Sequence, residues 1–261
     1  MLRTQGAPAV LFLHAHPDDE SILSGATLAK LAASELRTIV VFATRGDAGE
    51  TKLDLAGESL AERRTREAEA ACASLGVDRV EWLTHDDSGM ASSDTIDNPA
   101  AFSNQAVETV VADMRDLLVG ENIVAVVGYD ANGTYGHPDH VQVHRISHAA
   151  APLLGADWIM EVTWNREYFA SLPGSDGRLD TSFGSAQADL THFVRGEQWS
   201  AAKFAALMNH RSQVPDDVDV ENPDVDGLTL RFGVEWYIAA PVDSALDLGL
   251  LSEIFEPIAT L

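Results

Sequence analysis

Residues 9–14 (AVLFLH) and 38–44 (TIVVFAT) are short, nearly continuous apolar runs, the pattern of strands buried on both faces. Between them, 21–36 carries apolar residues at helical spacing. A second helical stretch, 58–75, ends at Gly76 and leads into a strand-like 79–83 (RVEWL). A third, 100–119, stops at Gly120 and is followed by 123–129 (IVAVVGY). Past Pro138 the pattern predicts a helix to about Leu154 and then a strand over 158–164. This alternation predicts an α/β chain with a mostly parallel sheet covered by helices. Residues 165–189 break into Gly, Pro, Ser and Asp and predict a long connection or lid. A helix over 197–210, an acidic loop over 215–226 and a strand over 230–239 complete the pattern. With no solenoid repeat, residues 1–261 are expected to form one domain.

Composition adds exclusions more than assignments. The chain is 46% hydrophobic and 22% charged, ordinary for a globular protein. No apolar stretch approaches the ~18 residues of a spanning helix, and residues 1–8 lack a basic region followed by an apolar one. A cytoplasmic protein without a membrane partner is the expectation. Against 17 basic residues stand 41 acidic ones, a formal charge of -24 that repels phosphate backbones, so no nucleic-acid partner is expected. The single cysteine, Cys72, lies among alanines; it excludes an internal disulfide and a cysteine-based zinc site and reads as a small buried hydrophobe.

The chemistry concentrates in two segments, HAHPDDE from His14 to Glu20 and YGHPDH from Tyr135 to His140. Each follows an apolar strand and opens a helix, with proline expected in the first helical turn. His16 and Asp19 are three apart, as are His137 and His140, so each pair can share one side of a turn. Parallel strands deliver their carboxyl ends to a common crevice, which brings both segments to one point. Imidazole nitrogen and carboxylate oxygen suit a borderline divalent ion, and two histidines plus one carboxylate leave positions open for water and substrate. A carboxylate left over beside such an ion can take a proton from water. Side-chain type does not decide which of Asp18 and Asp19 binds metal; the spacing from His16 favours Asp19. His14 is expected in a supporting or core role, and Glu20 as a hydrogen-bond anchor for the helix start.

With these residues in view, the chain resembles the LmbE-like, or PIG-L-type, zinc-dependent deacetylases of N-acetylglucosamine conjugates. The resemblance rests on AHPDDES at Ala15 to Ser21, Gly25-Ala26-Thr27, RRTREAEAACASLGV from Arg63, Asp87-Ser88-Gly89-Met90, HPDH at His137 and His210-Arg211-Ser212-Gln213. Within that family the motifs look most like the mycothiol-pathway GlcNAc-inositol deacetylase and conjugate amidase. The implied fold is a single-domain, Rossmann-like three-layer sandwich with the metal site at the strand carboxyl ends. The implied ligands are His16, Asp19 and His140, holding Zn2+, with Fe2+ or another divalent ion also accepted by such donors. The resemblance implies Asp18 as general base, His137 at the oxyanion or the departing amine, Asp139 orienting the His137 ring, and Tyr135 as a mobile group at the transition state. Arg64 and Asp87 are implied to bind sugar hydroxyls; the alternatives are an exposed Arg64 paired with Glu67 or Glu58, and a simple turn at Asp87.

The expected activity is hydrolysis of an N-acetyl group from a small amino-sugar conjugate by metal-activated water. The alternatives are an amidase on another sugar-linked amide, such as a mycothiol conjugate or glycopeptide, and a catalytically silent metal-binding relative. A dinucleotide-binding oxidoreductase is set aside, because HAHPDDE replaces the glycine-rich phosphate turn. Apolar Ile22 and Leu23 stand where those relatives carry polar residues, and substrate-covering loops are expected at 165–189 and 215–226. Trp158, Trp164, Tyr168 and Phe169 are expected in core packing, with a pocket wall or a homo-oligomer interface as the other readings.

Overall fold

In a computed structural model, residues 4–215, 218–220, 222–242 and 247–260 are described. The expected acidic loop is therefore only partly in view, since residues 216, 217 and 221 lie outside the described residues, as do residues 1–3. In chain order the elements are β1 (Pro8–His14), α1 (Asp19–Ala32), β2 (Arg37–Thr44), α2 (Leu60–Leu75), β3 (Arg79–His85), α3 (Val107–Leu117) and β4 (Asn122–Tyr129). There follow a single turn, α4 (Gly133–Gly136), α5 (Pro138–Leu154), β5 (Trp158–Thr163), α6 (Arg166–Ser171), β6 (His192–Arg195), α7 (Ser200–Asn209), α8 (Val225–Phe232), β7 (Val234–Pro241) and β8 (Glu256–Pro257).

Among the described residues the strands form one sheet in the order β3, β2, β1, β4, β5, β7, β6, β8. The first five run parallel. β7, β6 and β8 extend the sheet antiparallel beyond β5. Right-handed crossovers in this order put α1 and α2 on one face and α3 and α5 on the other. The packing agrees, since α1, α2 and α7 touch one another and α3 touches α5. Every residue of β2 is buried, and so is all of β1 after Pro8, as two-sided covering requires. Helix ends follow local chemistry. Ser59 and Glu62 form a capping box at the start of α2, and Gly76, at φ 74°, closes it in the left-handed region.

Three expectations are corrected. The helix expected from residue 100 begins at Val107, because the preceding backbone is spent elsewhere: Asp86 N–H donates to Ala100 O (3.1 Å) and Phe102 N–H to Asp86 O (2.9 Å). The strand expected over 230–239 starts at Val234, since 230–232 finish α8, whose N-cap Asp224 accepts from Gly227 N–H (3.0 Å). The stretch 165–189 is not patternless. It holds α6 and returns to pair Asn165 with Ser185.

A buried ion pair ties the antiparallel half of the sheet to α1. Lys203 Nζ lies 2.6 Å from Glu235 Oε1, and both side chains are 1% exposed. Glu235 also accepts from Ala26 N–H (2.8 Å), Thr27 N–H (2.8 Å) and Thr27 Oγ1 (2.5 Å). This accounts for Gly25-Ala26-Thr27: a Cβ on Gly25 would stand 2.9 Å from Lys203 Cγ. Glu235→Ala leaves an ammonium and two backbone donors without their acceptor, and a loss of ~3–5 kcal/mol is expected in urea unfolding followed by tryptophan fluorescence. A loss below about 1 kcal/mol, typical of exposed pairs, would contradict the role given to this contact.

Candidate metal centre

β1 and β4 are neighbours whose crossovers leave in opposite directions, so a crevice opens at their carboxyl ends. Tyr129, the last residue of β4, ties the two strand ends together. Its hydroxyl accepts from Ala15 N–H (3.1 Å) and lies 3.0 Å from His14 Nδ1. His14 Nε2 meets Ser24 Oγ at 3.0 Å, and burial lowers its pKa to about 4 against the opposing charges of Asp19 and Glu20. His14 is therefore a neutral supporting residue, as expected.

The two proline segments differ in a way the sequence does not reveal. Pro138 is the first residue of α5, capped by His137. Pro17 stands outside α1, because the N-cap Asp18 adopts φ 113°, a left-handed value that a non-glycine residue rarely takes. Its N–H donates to Glu20 Oε2 (2.9 Å). Arg64, buried on α2, donates from Nη2 to Pro17 O (2.5 Å) and from Nη1 to Gly46 O (2.9 Å), and Nη2 lies 3.3 Å from Asp18 Oδ2. Glu20 Oε1 also accepts from Ser21 Oγ (2.5 Å) and meets His210 Nε2 at 2.6 Å. Glu20 is thus the helix-start anchor, and HRSQ supports the turn from behind. Ser212 donates to Glu67 through N–H (3.0 Å) and Oγ (2.6 Å), while Glu58 takes Arg63 and Arg66. The exposed Arg64 pair with Glu67 or Glu58 is therefore ruled out.

Asp19 Oδ2 lies 3.5 Å from His16 Nδ1 and 3.3 Å from His140 Nε2, so two imidazole nitrogens meet at one carboxylate oxygen. The far nitrogens have their own partners. His16 Nε2 is 3.2 Å from Asp139 Oδ2, and His140 Nδ1 is 3.3 Å from Thr134 Oγ1. Metal-binding imidazoles are oriented in this way, so the residues fit a divalent ion. His137 also belongs to the cluster, with ligand atoms of His16, His137 and His140 within 4.8 Å of one another.

Asp139 corrects an expectation. Its carboxylate reaches His16 and accepts from Ser88 N–H (2.9 Å) and Ser103 N–H (2.8 Å). What it gives the His137 ring is its backbone N–H, 3.2 Å from Nδ1. Asp87 Oδ1 lies 3.4 Å from His16 Nε2 and accepts from Gly89 N–H at 2.8 Å, so it both shapes a turn and faces the site.

The charges differentiate neighbouring groups. Burial raises the Asp18 carboxyl to about 6 although Arg64 opposes it. Burial works the same way on Asp19, yet His140 and His16 overcome it and hold Asp19 well below the usual range. Burial, then the charges of His16 and His140, lower His137 to about 3. Burial also raises the Tyr135 phenol, whose hydroxyl is 3.3 Å from His140 Nε2. Tyr135 stacks on Trp164, and Trp164 on Phe183, so Trp164 packs against the core as expected and backs Tyr135.

A cleft of about 450 Å³ opens here, lined by Asp18, Arg64, Asp87, Tyr135 and His137 among others. On the other side of Asp18 lies an apolar cavity of about 800 Å³, lined by Ile22, Leu207, Met208, Val218 and Phe232. Sequence reasoning missed Asp130, which accepts from Thr134 N–H (2.7 Å), Thr163 Oγ1 (2.5 Å) and Ser185 Oγ (2.7 Å) and so builds the turn presenting Tyr135. Its only signal was an acidic residue directly after a strand. Asp139→Asn is expected to weaken Zn2+ binding 10–100-fold in a competition titration without unfolding the chain. Unchanged affinity would contradict the orienting role of Asp139.

Residues 11–151, more than half of the chain, match the family described as PIG-L, GlcNAc-PI de-N-acetylase. A 1D-myo-inositol 2-acetamido-2-deoxy-alpha-D-glucopyranoside deacetylase of Acidothermus cellulolyticus is 32% identical over 262 residues, covering 88% of each chain. A protein of the same description from Saccharopolyspora erythraea is 34% identical, covering 87% of this chain and 91% of its own. Among solved structures, the N,N'-diacetylchitobiose deacetylase of Pyrococcus horikoshii superposes with a TM-score of 0.62 at 23% identity, covering 90% of this chain and 85% of its own. A 4-carboxy-2-hydroxymuconate hydratase of Pseudomonas putida gives 0.59 at 16% identity, covering 92% and 99%, so the fold is shared beyond deacetylases. On the family match and on identity over most of its length, this chain belongs to the PIG-L family.

Proposed function

We propose that the chain is a metal-dependent hydrolase that removes the acetyl group from an N-acetylglucosamine joined to a small polyol, with an inositol conjugate as the first candidate. The observation that carries this reading is the pairing of a His16–Asp19–His140 donor set with a separate carboxylate, Asp18, raised to about 6 at the wall of a polar cleft. We assign His16 Nδ1, Asp19 Oδ2 and His140 Nε2 as ligands of one divalent ion, Zn2+ in the first instance. An ion held there supplies Lewis acidity toward water and the acyl oxygen.

The rest of the chemistry belongs to the protein. Asp18 takes the proton from the attacking water, and its raised pKa lets it hold that proton and return it to the departing amine. His137 Nδ1 accepts a backbone N–H, so the proton of its neutral ring sits on Nε2 and donates to the oxygen on which negative charge develops. Tyr135, kept a neutral phenol and stacked on Trp164, adds a second donor from the cleft wall. Arg64 spends its terminal nitrogens on Pro17, Gly46 and Asp18, which makes it a positioning residue for the base before it is a sugar ligand. Asp87 remains available to a sugar hydroxyl at the cleft wall.

The proteins described as inositol-conjugate deacetylases support the substrate class. The apolar cavity beside Asp18 favours, as a second reading, a sugar-linked amide with an apolar portion. No described helix is long and apolar enough to cross a membrane. Asp18→Ala is expected to lower amine release from N-acetylglucosaminyl-inositol by about 10²–10⁴-fold while bound metal, counted by elemental analysis, stays at the wild-type level. Full activity in this variant would remove Asp18 from the mechanism, and wild type inert on this substrate but active on other N-acyl glycosides would favour the second reading.

A further inference from the structure

We propose that His144, His148 and Glu161 form a second divalent transition-metal site, separate from the centre at His16, Asp19 and His140. Their ligand atoms all lie within 4.8 Å of one another. His144 and His148 are one turn apart on α5, with ring centroids 4.5 Å apart, the spacing that aims two imidazoles at one patch. Glu161 reaches them from β5, with Oε1 3.1 Å from His144 Nδ1 and 2.6 Å from His148 Nε2. The proposed hydrolysis uses none of the three.

The position of Glu161 is the unusual part. It sits among buried residues of a strand covered by α5 and is 8% exposed, where an apolar side chain would pack without a desolvation penalty. Its Oε1 faces both imidazoles, which makes the carboxylate the anionic member of the set. His144 Nδ1 also lies 3.1 Å from Tyr129 O. The carbonyl helps to hold the ring with Nδ1 facing Glu161.

Two imidazoles and one carboxylate form a set for Zn2+, Ni2+, Co2+ or Cu2+, with remaining positions filled by water. Bonds of about 2.0–2.1 Å separate adjacent ligand atoms by about 3.3 Å, so His148 must withdraw from Glu161 by a fraction of an ångström. Its side chain, 39% exposed, has room for that. One helix would then serve two centres, with His140 at its first turn and His144 and His148 further along.

The test is Zn2+ alone, equilibrated with the chelator-stripped full chain and counted after dialysis, with circular dichroism as the check of folding. Wild type is expected to bind two equivalents, and His144→Ala/His148→Ala and Glu161→Gln one each, the double variant keeping its amide hydrolysis. The milder His148→Ala is expected to weaken the second equivalent at least tenfold. His140→Ala reports the first centre separately: an equivalent that survives there and vanishes in the double variant supports this site whatever becomes of the proposed hydrolysis. A single equivalent in wild type that is lost in His140→Ala, or two equivalents persisting in the double variant, would overturn the proposal.

Discussion

Where β1 leaves the sheet, the chain passes Pro17 and turns through the left-handed Asp18 before α1 begins, and this turn decides where three side chains go. A non-glycine residue in that conformation costs of order 1–3 kcal/mol and persists only where its surroundings over-determine it. Here Glu20 accepts the Asp18 N–H and Arg64 grips the Pro17 carbonyl. The turn sends the Asp18 carboxylate to the cleft wall while Asp19, the first residue of α1, folds back to accept the His16 N–H at 2.9 Å. Two adjacent aspartates with identical side chains thus enter different environments, one raised toward neutrality and one held anionic. In the proposed mechanism the separation of base from ligand follows from this single backbone angle.

The supports of that turn explain why the motif residues lie far apart in sequence. His210 reaches Glu20, Ser212 holds Glu67, and Arg64 crosses from α2 to Pro17. These are buried polar contacts in which each charge has a partner, the condition under which buried ionic groups persist. The shared fold of a hydratase shows that the sheet alone does not specify the reaction. In the proposed mechanism the donors at the carboxyl ends of β1 and β4 do.

Much of the architecture was legible in the chain. Continuous apolar runs marked β1, β2 and β4, and Gly76 marked the end of α2, because burial on both faces and left-handed caps leave local signals. β6, four residues long, leaves no period to detect, and the end of α8, 230–232, was absorbed into the following strand because Leu230 and Phe232 continue its apolar alternation. At the site, histidine and aspartate spacing indicated that His16, Asp19 and His140 come together. The partner of Asp139 was not legible: its carboxylate meets His16, 123 residues away in sequence, and only the packing of α5 against β1 brings them together. The burial of Arg64 was hidden for the same reason, since a helical periodicity says which face is apolar and nothing of a loop that covers it.

In the proposed centre one ion sits between His16, Asp19 and His140, with Asp18 outside its coordination. Anomalous diffraction at the zinc edge from crystals of the zinc-loaded protein measures this directly. The account predicts a strong peak bonded to His16 Nδ1, Asp19 Oδ2 and His140 Nε2, with Asp18 beyond bonding distance and still facing the cleft. A peak bonded to Asp18, or one held by His137 in place of Asp19, would contradict it.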